Sequence, residues 1–195
     1  NFVVIIFTIE RFINLAKAKG KGGLNSFVLK MKELLKSKDV SGAKEECDVQ
    51  KGSLAAVVHA GLTKYETVQN LTDLSKEEKV DALKKELEEA TALEMPMLSK
   101  NLVVLSTCAS VSTLIGLIGT VMGMIKSFAA MAGGTPDTAQ LATGISEALI
   151  NTLLGILGST LAIIFFNLFS TKIDQLTNSM DEAAFTIVQD FSATK

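Results

Sequence analysis

Two long apolar stretches dominate the second half of the chain. Residues 102–125 contain no charged residue, and residues 141–169 contain only one, Glu147. Each stretch is long enough to cross a bilayer, which needs about 20 apolar residues in an α-helix. The segment 133–137, which contains two glycines and a proline, marks a turn between them. Two spans joined by so short a connection are predicted to form an antiparallel helical hairpin.

The first half of the chain shows polar helices with apolar faces. Apolar residues recur at helical spacing in residues 26–38 and again in residues 54–62. Ser75 and Glu78 match a capping box, which predicts that a helix begins there. Because the helical pattern resumes directly after Pro96, we expect this helix to be kinked at the proline and to continue into the first long span.

The chain opens with a short apolar segment. Residues 1–9 are apolar and are followed at once by Glu10 and Arg11. A helix of this length rises only about 13 Å, roughly half of the apolar thickness of a membrane. We interpret it as the end of a first transmembrane helix whose beginning is missing; a short anchoring helix is the alternative.

Together these patterns predict an all-α, polytopic membrane protein. Three transmembrane helices, the first truncated, extend into long cytoplasmic helices. The predicted segments are the end of the first transmembrane helix (1–16), a cytoplasmic helical domain (17–100), the second transmembrane helix (101–127), a periplasmic turn (128–139), the third transmembrane helix (140–169) and a cytoplasmic C-terminal helix (170–195).

Basic residues predict the orientation in the membrane. Of the 19 Lys and Arg residues, 15 fall between Lys17 and Lys100, whereas the turn at 128–139 has none. Because basic segments stay on the cytoplasmic side, the N-terminus and the turn are predicted to lie outside and the C-terminus in the cytoplasm. Lys126 is the exception, and we expect its ammonium to reach the outer membrane surface.

Composition excludes several classes of function. The net charge of -2 gives no indication of a nucleic-acid partner, and the hydrophobic share of 48% favours a membrane lipid environment. His59 is the single histidine, and the two cysteines, Cys47 and Cys108, lie far apart in dissimilar surroundings. We therefore predict no metal site, no cofactor and no enzymatic activity.

Small polar residues follow one face of each long span. The two stripes comprise Ser106, Ser110, Thr113 and Thr120 on the second span and Gln140, Thr143, Glu147 and Asn151 on the third. Hydroxyl groups alone are typical of contacts between membrane helices. Glu147 favours a polar pathway, because a carboxylate at membrane depth is costly and by default marks an ion or proton site. We expect no cationic partner for it within the chain, which indicates protonation or a partner subunit.

Two motifs on these spans resemble the MotA/TolQ/ExbB proton-channel family, and its ExbB/TolQ branch in particular. They are G-L-I-G-T-V-M-G-M-I-K-S-F (Gly116–Phe128) and A-T-G-I-S-E-A-L-I-N-T-L-L-G (Ala142–Gly155). The resemblance covers both long spans. The chain departs from the family at Thr113 and Leu161, where prolines are common, and these departures predict straighter helices.

The resemblance implies a proton pathway through the hairpin. Thr120, Glu147 and Thr152 match the polar residues that line the family's pore. Spacing alone places Thr152 about 140° round the helix from Glu147, so its assignment depends on the resemblance. The stripes add four candidates for lining the pore: Thr113, Ser110, Asn151 and Thr143.

The resemblance also implies partners and a role. The chain is expected to form a ring, most simply a homopentamer, around a single-span subunit of the ExbD/TolR type in the bacterial inner membrane. Proton flow would then drive a TonB-like or Tol-like protein that spans the periplasm. Two alternatives stay open: a subunit of a flagellar or gliding stator, and a membrane scaffold that conducts nothing.

Overall fold

The computed structural model describes residues 1–71, 73–132 and 137–193. These residues are almost entirely helical and contain no β-strand, which confirms the all-α prediction. Residues 133–136 of the predicted turn lie outside the described part. The helices are α1 (Phe2–Lys19), α2 (Leu24–Lys36), α3 (Val40–Gln50), α4 (Gly52–Asn70), α5 (Lys76–Ser99), α6 (Leu102–Ala129) and α7 (Thr138–Ala193).

The chain folds as two compact units. The hairpin unit comprises Asn1–Arg11 and Asn101–Phe169, and the lysine-rich unit comprises Phe12–Lys100 and Ser170–Lys195. The predicted third span and C-terminal helix are parts of one helix, because α7 runs without a break for 56 residues.

Helix α4 is the central element of the lysine-rich unit. Nine of its 19 residues are buried, and it packs against α3 and α5. Gly61 lets α5 approach closely, since the side chain of Leu87 occupies the space that a Cβ would fill. Tyr65 meets Phe191 of α7 edge to face, with 4.9 Å between ring centroids, and its hydroxyl donates to Asp190 at 3.3 Å. The end of α7 is therefore part of this core.

Two residues of the lysine-rich unit have pKa values that their surroundings shift. Glu78 accepts hydrogen bonds from the backbone N–H and the hydroxyl of Ser75, both at 2.8 Å, and these bonds lower the pKa of its carboxyl. The predicted capping box is therefore formed. Burial, with the nearby carboxylates Asp48 and Glu46, raises the pKa of Cys47 to about 12. Its thiol thus stays protonated at neutral pH.

The helix that begins after Ser75 ends before the long span, which corrects the prediction of a continuous rod. Pro96 lies inside α5, but α5 ends at Ser99 and α6 begins at Leu102. The break is caused by Asn101, whose φ of 60° is left-handed and cannot continue a helix. Asparagine tolerates this conformation, and here its amide also donates to both carboxylate oxygens of Glu10 at 2.9 and 2.8 Å.

Helices α6 and α7 pack through very small residues. A methyl group added at Gly123 of α6 would lie 2.7 Å from the carbonyl oxygen of Gly144 and 2.8 Å from the Cβ of Ala148, both in α7. One added at Gly116 would lie 3.1 Å from the Cα of Gly155. We call this contact line the glycine seam; it brings the two backbones together as closely as membrane helices allow.

The outer surface of the hairpin is apolar. Two helical stretches, one ending at Ala129 and one within α7, are long and apolar enough to cross a membrane. Only 11% and 17% of their most apolar windows are buried within the molecule. A core helix of a water-soluble protein would be mostly buried, so these exposed apolar surfaces favour contact with lipid or with other membrane helices.

Candidate functional site

Glu147 projects from the surface of α7 and forms an ion pair. Its Oε2 lies 2.8 Å from the Nζ of Lys126 in α6. The side chains are 47% and 63% exposed, respectively, so the pair faces outward from the hairpin rather than into the glycine seam. The expectation that the chain offers Glu147 no cationic partner was therefore wrong.

Helix geometry explains why these two side chains meet. In an α-helix each side chain leans toward the N-terminal end of its own helix. Because α6 and α7 are antiparallel, Lys126 leans away from the turn and Glu147 leans toward it. The two long side chains thus approach each other from different heights. Matching Cα positions along the two helices, without allowing for this lean, does not predict the Lys126–Glu147 pair.

Thr120 and Thr152 form a second polar pair, inside the glycine seam. One hydroxyl donates to the other across the two helices. The Thr120 hydroxyl also lies 3.1 Å from the carbonyl oxygen of Gly116 and 3.4 Å from that of Ala148. Both threonines are half-buried. The angular offset of Thr152 from Glu147 is thus real: the carboxylate lies on the surface of α7 and the threonine lies in the seam.

The four further candidates occupy different surroundings. Ser110 is exposed and Thr113 is half-buried, both on α6. Thr143 is exposed and its hydroxyl donates to the carbonyl of Ala139 at 2.9 Å. Asn151 lines an open pocket of about 390 Å³ whose floor includes glycines of the seam. The structure therefore does not bring these four side chains together at one point within a single chain.

Two serines of the seam were not predicted as site residues from the sequence. Ser127 is buried, and its hydroxyl donates to the carbonyl oxygens of Gly123 at 3.1 Å and Leu141 at 3.2 Å. Ser112 lines the same pocket as Asn151. The signal that could have found Ser127 is its spacing: Gly123 follows Gly116 by seven residues and Ser127 follows Gly123 by four, which fits one helix face.

Few charged groups share the hairpin with Glu147. Among residues 102–132 and 137–169, the other charged side chains are Lys126 and Asp137. Asp137 is already engaged, because its Oδ1 accepts from the backbone N–H groups of Ala139 and Gln140, both at 3.0 Å, at the start of α7. Glu147 is therefore the one charged residue in the apolar part of α7, residues 141–169.

Comparison with known proteins gives a consistent result. The profile of the MotA/TolQ/ExbB proton channel family matches residues 50–182. The Tol-Pal system protein TolQ of Pseudomonas aeruginosa is 29% identical over 140 residues, which cover 70% of this chain and 58% of that protein. The biopolymer transport protein ExbB of Pseudomonas putida is 29% identical over 160 residues, which cover 80% of this chain and 48% of that protein.

A shorter match is closer in sequence. TolQ of Haemophilus influenzae is 38% identical over 84 residues, covering 43% of this chain and 37% of that protein. The chain spans about half the length of the curated relatives it matches.

Proposed function

The chain belongs to the MotA/TolQ/ExbB proton channel family, and we propose that it is the proton-channel subunit of an energy-transducing complex in the bacterial inner membrane. Relatives named ExbB and TolQ support the ExbB/TolQ branch that the motifs indicate. One observation carries the proposal: Glu147 is the one charged residue of residues 141–169 of α7, and it is half-exposed and paired with Lys126. A titratable carboxylate in that position can carry protons across the apolar layer.

The complex is proposed to be a ring, with five copies as the simplest count, around a single-span subunit of the ExbD/TolR type. The exposed ion pair supports this arrangement. Two charges on the surface of an apolar hairpin are costly in contact with lipid, so protein or water must cover them. In a ring, the charged face turns inward and the apolar remainder faces membrane lipid. The start of α1 is proposed to belong to the first span of a three-span fold.

The work done is proposed to be mechanical. A proton moving down the membrane potential releases about 2.3 kcal/mol per 100 mV, so several protons together can drive a partner protein. By similarity to the ExbB and TolQ relatives, that partner is a TonB-like or Tol-like protein that spans the periplasm, and the work supports outer-membrane transport or envelope integrity. The ion pair also disfavours a purely structural scaffold, since a contact between helices needs no exposed charge.

Direct measurement of proton flux tests this function. The chain, purified with the partner subunits that accompany it, is placed in lipid vesicles that contain a pH-sensitive dye. We expect an imposed proton gradient to collapse faster than in vesicles made with the chain alone, because the partner's span completes the pathway. If an intact complex shows no proton flux under either an imposed pH difference or an imposed voltage, the channel function is refuted.

The proposed orientation has its own test. With Cys47 and Cys108 replaced by alanine, a single cysteine is introduced either at Met131, near the turn, or at Lys85, in α5. A membrane-impermeant thiol reagent added outside spheroplasts should label the first variant and not the second, because the turn is proposed to be periplasmic and α5 cytoplasmic. Labelling in the reverse pattern would contradict the proposed topology.

A further inference from the structure

Lys126 places a permanent positive charge 2.8 Å from the carboxylate that the proposed function requires. Opposite charges at this distance attract each other, and the short contact holds the two side chains in one geometry. The side chains come from different helices, with Lys126 on α6 and Glu147 on α7. The pair therefore also fixes the direction in which the carboxylate points.

The other charged groups of the hairpin unit do not compete for this pair. Asp137 caps the first turn of α7 through Ala139 and Gln140. Glu10 is held by the amide of Asn101, at the opposite end of the hairpin. Arg11 is buried beside Glu10 in sequence. Within the described part of the unit, Lys126 therefore forms its ion pair with Glu147.

We propose that Lys126 is a positioning residue for proton transfer: its ion pair holds the Glu147 carboxylate aligned on the hairpin surface, and the pair is released each time Glu147 takes up a proton. The inference rests on the proposed function of Glu147. On protonation a proton adds to one carboxylate oxygen, so the group becomes a neutral acid, and no bond between heavy atoms breaks. Lys126 keeps its charge but loses its counter-charge, so its ammonium must move toward water or another anion.

This release supplies a physical step from proton uptake to motion. An unpaired ammonium on an apolar surface is unfavourable, whereas a paired one is tolerated. Each cycle of proton uptake and loss at Glu147 therefore detaches and reattaches a side chain of α6. Because the pair is exposed on the hairpin, that movement takes place where a second subunit would touch it.

Substitution of Lys126 tests the inference in the full complex. In Lys126→Met and Lys126→Gln, we expect proton flux per assembled complex to fall about fivefold, the low end of the usual range for energetic coupling between two sites. Lys126→Arg keeps the positive charge and should retain most of the flux. Lys172→Met is the matched control: this lysine lies over the ring of Phe12, with no carboxylate in the pair, and its loss should leave flux near the native value.

The swapped variant Lys126→Glu/Glu147→Lys separates positioning from simple bonding between helices. It restores an ion pair but moves the carboxylate to α6, so we expect assembly without flux. Native flux in Lys126→Met or Lys126→Gln, or full flux in the swapped variant, would overturn the role of Lys126. An equal loss of proton flux in Lys126→Arg and Lys126→Met would also overturn this role. If Glu147→Gln is itself active, the proposed function fails; if it is inactive while Lys126→Met is native, only this inference fails.

Discussion

Replacing Glu147 with glutamine is expected to abolish energy-dependent activity while the complex still assembles. Glutamine has the size of glutamate and keeps a hydrogen-bonding group beside Lys126, but it cannot take up a proton. Loss of a positioned proton-transferring group typically lowers a rate by about a hundredfold or more. The measurement is nutrient uptake or envelope integrity in a deletion strain that expresses the variant, with assembly followed by co-purification of the partner subunits.

The ion pair requires a second variant beside this one. Glu147→Gln leaves the charge of Lys126 without its partner 2.8 Å away, and that alone could disturb the hairpin. The double variant Glu147→Gln/Lys126→Gln removes both charges, and we expect it to be inactive as well. Glu147→Asp keeps a carboxylate on a shorter side chain and should retain part of the activity. Normal activity in an assembled Glu147→Gln complex would exclude proton transfer by this residue.

Most of the fold could be predicted from the sequence because the determining signals are local. The absence of charge in residues 102–125 indicates a membrane helix without any tertiary information. The capping box at Ser75 is equally local, and the structure contains it. The break at Asn101 could not be predicted in this way. Asparagine costs only a fraction of a kcal/mol, about 0.7 or less, inside a helix, so its presence alone does not mark an end, and here a distant residue, Glu10, binds its side chain.

The candidate site was harder to predict because it depends on how two helices face each other. The polar stripe on α6 made Ser110 and Thr113 candidates for lining a pore, whereas the residues buried in α6 are Leu105, Gly116, Gly123 and Ser127. Glycines pack in the seam because they permit the closest approach, and the hydroxyl stripe lies partly beside it. The partner of Glu147 was missed for a related reason: only the three-dimensional register places Lys126 next to it.

The threonine pair in the seam leads to the second large expected effect. Replacing Thr120 and Thr152 together with valine keeps the shape of both side chains but removes both hydroxyls. We expect proton flux to fall on the order of tenfold, a typical size for a pair of directly bonded groups, and each single substitution to cause a smaller loss. The physical reason is that an all-apolar seam no longer holds water or hydrogen bonds along the pathway.

Two control variants show whether the hydroxyls matter at this place. Thr120→Ser/Thr152→Ser retains both hydroxyls and should keep most of the flux. Thr160→Val removes a hydroxyl from an exposed position of α7, where it donates to the carbonyl of Ile156 at 2.9 Å, and should have little effect. If the double valine variant shows native proton flux, the proton path does not run through the glycine seam. The path would then run along the outer face of the hairpin, where Glu147 and Lys126 already lie.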